Sequence, residues 1–155
     1  MAILPVTAYS SAISLLDYRI NLPGNWKTDV QADGVSAVMN KDSNGFYKTF
    51  SLSLSENVSE VEYKKSSDDF SQHFNSIDSV DKNLKLIAGD LVLKNNAGIR
   101  FDYFILFGID KNVLTYYALA YTKNRVMLIS YRIYRVTEDR RVWQDEFVSI
   151  LNGIM

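Results

Sequence analysis

Three long strands predicted between residues 98 and 136 carry apolar side chains on both faces, and this feature constrains the fold most. The turn sequences that separate them, "DKN" and "TKNR", are of hairpin length, so the strands are expected to form an antiparallel meander. In the first strand Phe101 and Tyr103 lie on one face, while Phe104 and Leu106 lie on the other. An antiparallel sheet with one face in water would alternate apolar with polar residues. Both faces of this sheet therefore need cover.

Two amphipathic segments can supply that cover. Ser59 and Glu62 have the spacing of a capping box, in which the hydroxyl accepts one free amide and the carboxylate reaches back for another. An apolar stripe behind this box predicts a helix over about 60–77. The stripe consists of Tyr63, Phe70, Phe74 and Ile77.

The last segment predicts a second helix over 138–152. Thr137 is its expected N-cap, and Glu138 and Asp139 fall where the helix dipole favours acidic groups. Gly153 resembles a helix stop. Its apolar stripe consists of Trp143, Phe147, Ile150, Leu151 and Ile154. With one helix before the meander and one after it, we predict an α+β fold: an α/β/α sandwich with a central, mainly antiparallel twisted sheet and a helix on each face.

The stretch "YRINLPGNW" ends the first predicted strand. Pro23 removes a ladder donor, Gly24 permits a turn, and Trp26 is expected to fold back as an anchor on the sheet edge. In all, the predicted strands cover 15–22, 34–40, 46–53, 84–88, 91–94, 98–109, 113–121 and 126–136, with turns at 23–25 and 41–45.

The order of strand, "LPxxW", hairpin, helix, meander and closing helix "RVWQDEFVSIL" resembles the PsbP-like superfamily, which includes the PsbP, Mog, DcrB-like and DUF1795 groups. The resemblance spans about residues 15–152 and does not single out a subfamily. It implies a single PsbP-like domain over 1–155, with 1–14 as an apolar N-terminal arm. It also implies roles in assembly, regulation or the holding of client proteins.

Composition excludes several classes of function. Seventeen basic and eighteen acidic residues leave a net charge of −1, so no field favours nucleic acid. The chain has no cysteine, hence no thiolate nucleophile or zinc–thiolate site. No apolar run approaches the ~20 residues that span a bilayer. Glycine-rich phosphate loops are absent, and no cofactor is predicted.

His73 is the only histidine, with Asp69 one helical turn before it. General-base chemistry needs converging groups, and Ser66 on the same helix cannot supply triad geometry. We therefore expect His73 to be a solvent-facing residue beside Phe74. The sequence predicts no enzyme, no catalytic residue and no metal site.

Arginine and tyrosine, the residues enriched at the centres of interfaces, concentrate near the end of the last predicted strand. The hypothesis for a partner-binding site comprises Tyr131, Arg132, Tyr134 and Arg135. They belong to a wider basic cluster with Arg125, Arg140 and Arg141. The alternative for this cluster is a solvated sheet edge that pairs with acidic residues of the last helix.

Two functions stay open. The first is a non-catalytic protein-binding or assembly module of PsbP-like type, exported to an extracytoplasmic location with its signal absent from this sequence. The alternative is a cytoplasmic DUF1795-like chaperone or adaptor that holds hydrophobic client segments. An exposed apolar groove on the sheet would favour the alternative. The identity of the partner protein and the oligomeric state are left open.

Overall fold

The structure, a computed structural model, describes residues 11–22, 26–38, 46–136 and 140–155. The predicted turns at 23–25 and 41–45, and the predicted cap at 137 with its acidic neighbours 138 and 139, lie outside these residues. The strands are β1 Ser11–Leu15, β2 Tyr18–Leu22, β3 Lys27–Val30, β4 Gly34–Val38, β5 Tyr47–Leu54, β6 Leu84–Lys94, β7 Arg100–Gly108, β8 Val113–Thr122 and β9 Arg125–Tyr134. The helices are α1 Glu60–Asn75, α2 Ile77–Val80 and α3 Arg140–Asn152.

Seven of these strands form one antiparallel sheet in the order β3-β4-β5-β9-β8-β7-β6, and β1 and β2 form a separate hairpin. The predicted meander of β7, β8 and β9 is confirmed, and β9 pairs with β5 on its other side. β9 therefore lies in the middle of the sheet. The interpretation of its basic residues as a sheet edge was wrong, because the pairing of β5 with β9 was not visible in the sequence.

Alternation along β7 divides the core into two layers. Phe101 and Tyr103 face a first layer that contains α3 and the β1–β2 hairpin. Phe104 and Leu106 face a second layer, where Phe74 of α1 packs. The two long helices therefore lie on opposite faces of the sheet, and the predicted α/β/α sandwich is confirmed.

Cover of the second face is incomplete. Its apolar cluster reaches from α1 and α2 to β6, β7 and β8, and among the described residues no helix covers β5 and β9 on this side. The residues there explain the difference from the prediction, because Thr49, Ser51, Ser130 and Arg132 are polar and tolerate water. Leu128, also on this face of β9, is 39% exposed.

The cap of α1 forms largely as predicted. The amide of Glu62 donates to the Ser59 Oγ at 3.1 Å, and the Ser59 hydroxyl donates to the Glu62 carboxylate at 3.2 Å. The carboxylate thus accepts from the cap hydroxyl. Tyr63, at the start of the helix, stacks on Tyr121 of β8 with ring centroids 5.0 Å apart.

The segments 84–88 and 91–94, predicted as two strands, form the single strand β6 with register shifts between them. Asp90 adopts a left-handed φ of 51° at this irregularity. Its carboxylate accepts from Ser71 at 2.7 Å and from Asn75 at 2.9 Å. Both hydrogen bonds lower the pKa of Asp90 and hold α1 on this strand.

Residues 153–155 leave α3 and pair with β2. The amide of Asn21 donates to the Gly153 carbonyl at 2.9 Å, and Arg19 and Met155 exchange two backbone hydrogen bonds. A Cβ at Gly153 would lie 2.6 Å from the Asn21 carbonyl oxygen. Gly153 is therefore needed for this close approach of two backbones, in addition to its place at the end of the helix.

Asn95, in the turn after β6, holds the end of α3 in place through side-chain hydrogen bonds. Its side chain is buried and donates to the carbonyls of Leu151 and Ile154, each at 2.8 Å. Its Oδ1 accepts from the amides of Ala97 and Ile99 at 3.0 and 2.9 Å.

Asn95→Ala should lower the free energy of unfolding by at least about 2 kcal/mol, since each buried group left without a partner costs roughly 1–3 kcal/mol. Urea denaturation measures the change.

Asn96→Ala is the matched control for this prediction. Asn96 is exposed, and it contacts Asn152 through its backbone amide, which the substitution keeps. We expect a change below about 0.5 kcal/mol for this surface position. Equal unfolding midpoints for the two variants would contradict the proposed role of Asn95.

Candidate functional site

A groove of about 450 Å³ lies on the second face, where α1 and α2 end and the uncovered part of the sheet begins. None of the described residues that line it is acidic. The apolar lining comprises Phe70, Phe74, Ile77, Leu84, Leu106, Val113 and Leu128, and the polar lining comprises His73, Thr115, Tyr117, Arg132 and Tyr134.

Arg132 is the cation of the groove. Its Nη2 donates to the Tyr117 hydroxyl at 2.6 Å, and its Cζ lies 5.7 Å from the centroid of the same ring. Burial lowers the pKa of Arg132, but the contacts with the hydroxyls of Tyr117 and Tyr134 raise it and leave it above its usual value. Among the described residues no carboxylate forms an ion pair with this guanidinium. A half-buried positive charge therefore faces the groove with neutral partners.

A polar surface continues from the groove across two strands. We define the open shelf as the second-face residues of β5 and β9 next to the groove: Tyr47, Thr49, Ser51, Ser130, Arg132 and Tyr134. Tyr47 and Tyr134 stack with centroids 4.2 Å apart and an interplanar angle of 4°. Ser51 and Ser130 share a hydrogen bond of 2.7 Å. These cross-strand contacts hold the shelf side chains in place.

The structure separates the four residues of the predicted partner site. Arg132 and Tyr134 line the groove, and Arg135 follows at once with an exposed side chain and a left-handed φ of 58°. Tyr131 points to the opposite face and is 0% exposed, so it has no surface with which to contact a partner. The period of two along a strand explains the separation. Partner binding by the other three stays a prediction.

The wider basic cluster is also divided. Arg125 lies at the far end of β9, where it donates to the Ser55 carbonyl at 2.7 Å. Arg141 is an exposed residue of α3, on the other face of the sheet. The side chain of Arg140 lies outside the described part of the chain. Of the described residues of the predicted cluster, only Arg132 and Tyr134 line the groove, and Arg135 follows them at the exposed end of β9.

A buried charged pair lies on the first face, and sequence reasoning missed it. The Lys48 Nζ lies 2.6 Å from Glu146 Oε1 of α3, and the Lys48 residue is 7% exposed. The same carboxylate accepts a short hydrogen bond from the Tyr131 hydroxyl. Burial and the nearby carboxylate raise the pKa of Tyr131 far above its usual range. The sequence did indicate that Lys48 points inward, since it is in phase with the inward residues Phe50 and Leu52 along β5.

Trp26 belongs to this buried cluster. It is 8% exposed, and its ring lies 6.4 Å from that of Tyr131. The Lys48 ammonium is 5.3 Å from the Trp26 ring and 5.4 Å from the Trp143 ring, within cation–π distance. Trp26 is an anchor as predicted, but it packs on the inner strands β5 and β9, away from the sheet edge.

His73 lies on the exposed side of α1 at the groove margin, with its ring 5.1 Å from Phe74. Asp69 is exposed one turn before it. Across the described ranges no three His, Cys, Asp or Glu side chains come together in a way that could hold a metal ion. No helix in this part of the chain has the length and apolar character needed to cross a bilayer.

No family model and no curated protein matches the chain. Among solved structures, it is similar to the 1.9 Å crystal structure of the Saccharomyces cerevisiae Ran-binding protein Mog1p, with a TM-score of 0.56. The two share 10% sequence identity over 94% of each chain. Identity at this level shows the fold alone. The two chains share the fold that the element order suggested, and the comparison assigns neither a family nor a subfamily.

Proposed function

We propose that this chain is a non-catalytic protein-binding or assembly module whose partner contacts the groove and the open shelf. The observation that carries this proposal is the incomplete cover of the second face, which leaves an apolar groove beside a half-buried arginine. Tyrosine and arginine are enriched where binding energy concentrates in interfaces. We assign partner contacts to Arg132, Tyr134 and Arg135. That the structurally similar yeast protein is a Ran-binding protein is consistent with a protein partner.

The groove also favours the second candidate, a chaperone or adaptor that holds hydrophobic client segments, because large exposed apolar surfaces mark partner sites. The two candidates differ in what drives binding. A contact centred on Arg132 weakens as salt rises, since exposed charges are screened. Binding dominated by apolar burial changes little or strengthens with salt. The salt dependence of partner capture therefore distinguishes them.

We also propose an extracytoplasmic location, on the basis of the resemblance to exported PsbP-like proteins. Fractionation of the native cells tests this proposal. Recovery of the native protein in the cytosol would favour the chaperone or adaptor instead.

Charge reversal at Arg132 and Arg135 should weaken partner capture, and more strongly at low salt than at high salt, because added salt screens the attraction between opposite charges. A photo-reactive amino acid at Leu128 in the groove can report this capture. In native extract, the wild type should form a discrete crosslinked protein band, and Arg132→Glu with Arg135→Glu should reduce it. Thermal midpoints are recorded in parallel, since Arg132 also contacts Tyr117.

Arg19→Glu with Lys85→Glu is the matched control, because both side chains are exposed and neither lies on the face that carries the groove. This control should crosslink like the wild type. A double variant at Arg132 and Arg135 that captures partners normally would contradict the assigned contacts. Turnover of a hydrolase or isomerase substrate that disappears in His73→Ala would contradict the non-catalytic part of the proposal.

A further inference from the structure

We infer that the groove selects a protein segment that carries one carboxylate flanked by large apolar side chains. This inference rests on the proposed function and specifies the chemistry of its partner. The occupant is a protruding piece of a partner protein, an acidic amphipathic segment, and its carboxylate contacts Arg132.

The first step is the charge of the lining. Arg132 and His73 are the basic residues among the described residues of the groove, and no carboxylate accompanies them. An apolar occupant would take water away from the half-buried guanidinium without replacing its hydrogen bonds, and a neutral carbonyl would replace them with weaker ones than a carboxylate makes. A cationic occupant would add repulsion between like charges. A carboxylate removes both costs.

The second step is that existing contacts already fix the side chain of Arg132 before a partner binds. Tyr117 accepts from its Nη2 at 2.6 Å, and Tyr134, the other hydroxyl partner, is itself stacked on Tyr47. These contacts fix the side chain before a partner arrives, so binding orders fewer groups. A guanidinium has five N–H donors, and two hydroxyl partners leave donors for a bidentate carboxylate contact.

The third step is size. A volume of about 450 Å³ lies within the roughly 300–1,000 Å³ typical of ligand clefts. It accepts a few large apolar side chains and is too small for a folded domain. The walls that would receive these side chains are Phe70, Phe74, Ile77 and Leu106. An amphipathic segment laid in an apolar groove is an established mode of peptide recognition.

Selection from a displayed library of random peptides tests the inference. The baits are the full chain as wild type, Arg132→Gln, Arg132→Glu and Leu128→Lys, with Val61→Lys as a control on the exposed side of α1. We expect wild type and Val61→Lys to enrich Asp or Glu beside Leu, Ile or Phe. Arg132→Glu should enrich Lys or Arg in place of the acidic residue, a gain that misfolding cannot produce.

Dissociation constants of one selected peptide and of its Glu→Gln version complete the test. The acidic peptide should bind Arg132→Gln on the order of ten- to a hundredfold more weakly than wild type, the range for a charge-assisted pair. The Glu→Gln peptide should bind both proteins alike. Octanoate, tested alone on wild type, should bind much more weakly than the acidic peptide.

The outcomes separate the two levels of the proposal. Peptides without charge preference whose binding is lost in Leu128→Lys would overturn the inference and leave the protein-binding groove standing. Tight binding of octanoate together with no peptide that depends on Leu128 would overturn both, because the groove would then be a pocket for small acids. Enriched peptides that bind equally to wild type, Leu128→Lys and Arg132→Glu would also overturn both.

Discussion

Replacing Phe147 with alanine will lower the free energy of unfolding by roughly 3–5 kcal/mol, the range for large aromatic residues removed from a core. Phe147 is 0% exposed, and its ring centroid lies 4.8 Å from that of Tyr116 and 5.5 Å from that of Tyr103. The contacts join α3 to the middle of the sheet, so the void cannot collapse without moving several rings. The loss is a large share of the ~5–15 kcal/mol that stabilises a domain. Chemical denaturation measures it.

Trp143→Ala should fall in the same range, because Trp143 is 6% exposed and packs on Phe46. Trp143→Phe should lower the free energy of unfolding by less than Trp143→Ala does. It keeps an aromatic ring in the core, and no described residue accepts a hydrogen bond from the indole N–H of Trp143. His73→Ala, at an exposed position, should change stability by less than about 0.5 kcal/mol. A larger loss for His73→Ala than for Phe147→Ala would refute the assignment of faces.

Replacing Glu146 with leucine should also be strongly destabilising, near the lower end of the roughly 3–5 kcal/mol for breaking a buried ion pair. The Glu146 side chain is 25% exposed, which moderates the loss relative to a fully buried pair. The substitution removes the partner of the Lys48 ammonium, which lies within cation–π distance of two indole rings. It also leaves the buried Tyr131 hydroxyl without the carboxylate to which it donates.

A double-mutant cycle tests this account. Lys48→Met combined with Glu146→Leu should be less destabilising than the sum of the two single changes, because the double variant leaves no uncompensated charge. Urea denaturation of the wild type and the three variants provides the four free energies. Strict additivity would show that the pair makes no net interaction.

The core could be predicted from the sequence because its signals are local. The stripe predicted for the closing helix has the helical period, and all five of its residues are buried at 6% exposure or less, although Ile154 lies after the end of α3 and pairs with Ile20. The two faces of β7 and β8 follow the period of two. The element order also matched a fold that the structural comparison supports at 10% identity.

What could not be predicted depends on pairing between distant segments. β3 is polar and all of its residues are exposed, and it exists as a strand because it pairs with β4. The ion pair of Lys48 and Glu146 joins residues 98 positions apart. No periodicity in either segment shows that the two side chains meet.

The candidate site was found in part. Alternation along the last strand already distinguishes Tyr131, in phase with Ile129 and Ile133, from Arg132 and Tyr134. The groove itself depends on how far α1 extends across the sheet, which its sequence does not state. The sequence thus named two residues that line the groove, Arg132 and Tyr134, but not the cavity itself, and partner binding there stays a prediction.

The closing of the first face by α3 and residues 153–155 sets an order of events during synthesis. The strands and the β1–β2 hairpin of this face are made first, and their apolar side chains have incomplete cover until α3 has been made and residues 153–155 have paired with β2. Contacts of such long sequence separation form slowly, and bare sheet surface is prone to aggregate. Nascent chains of this protein therefore remain prone to associate with one another until residues 140–155 have been made and have packed on the sheet.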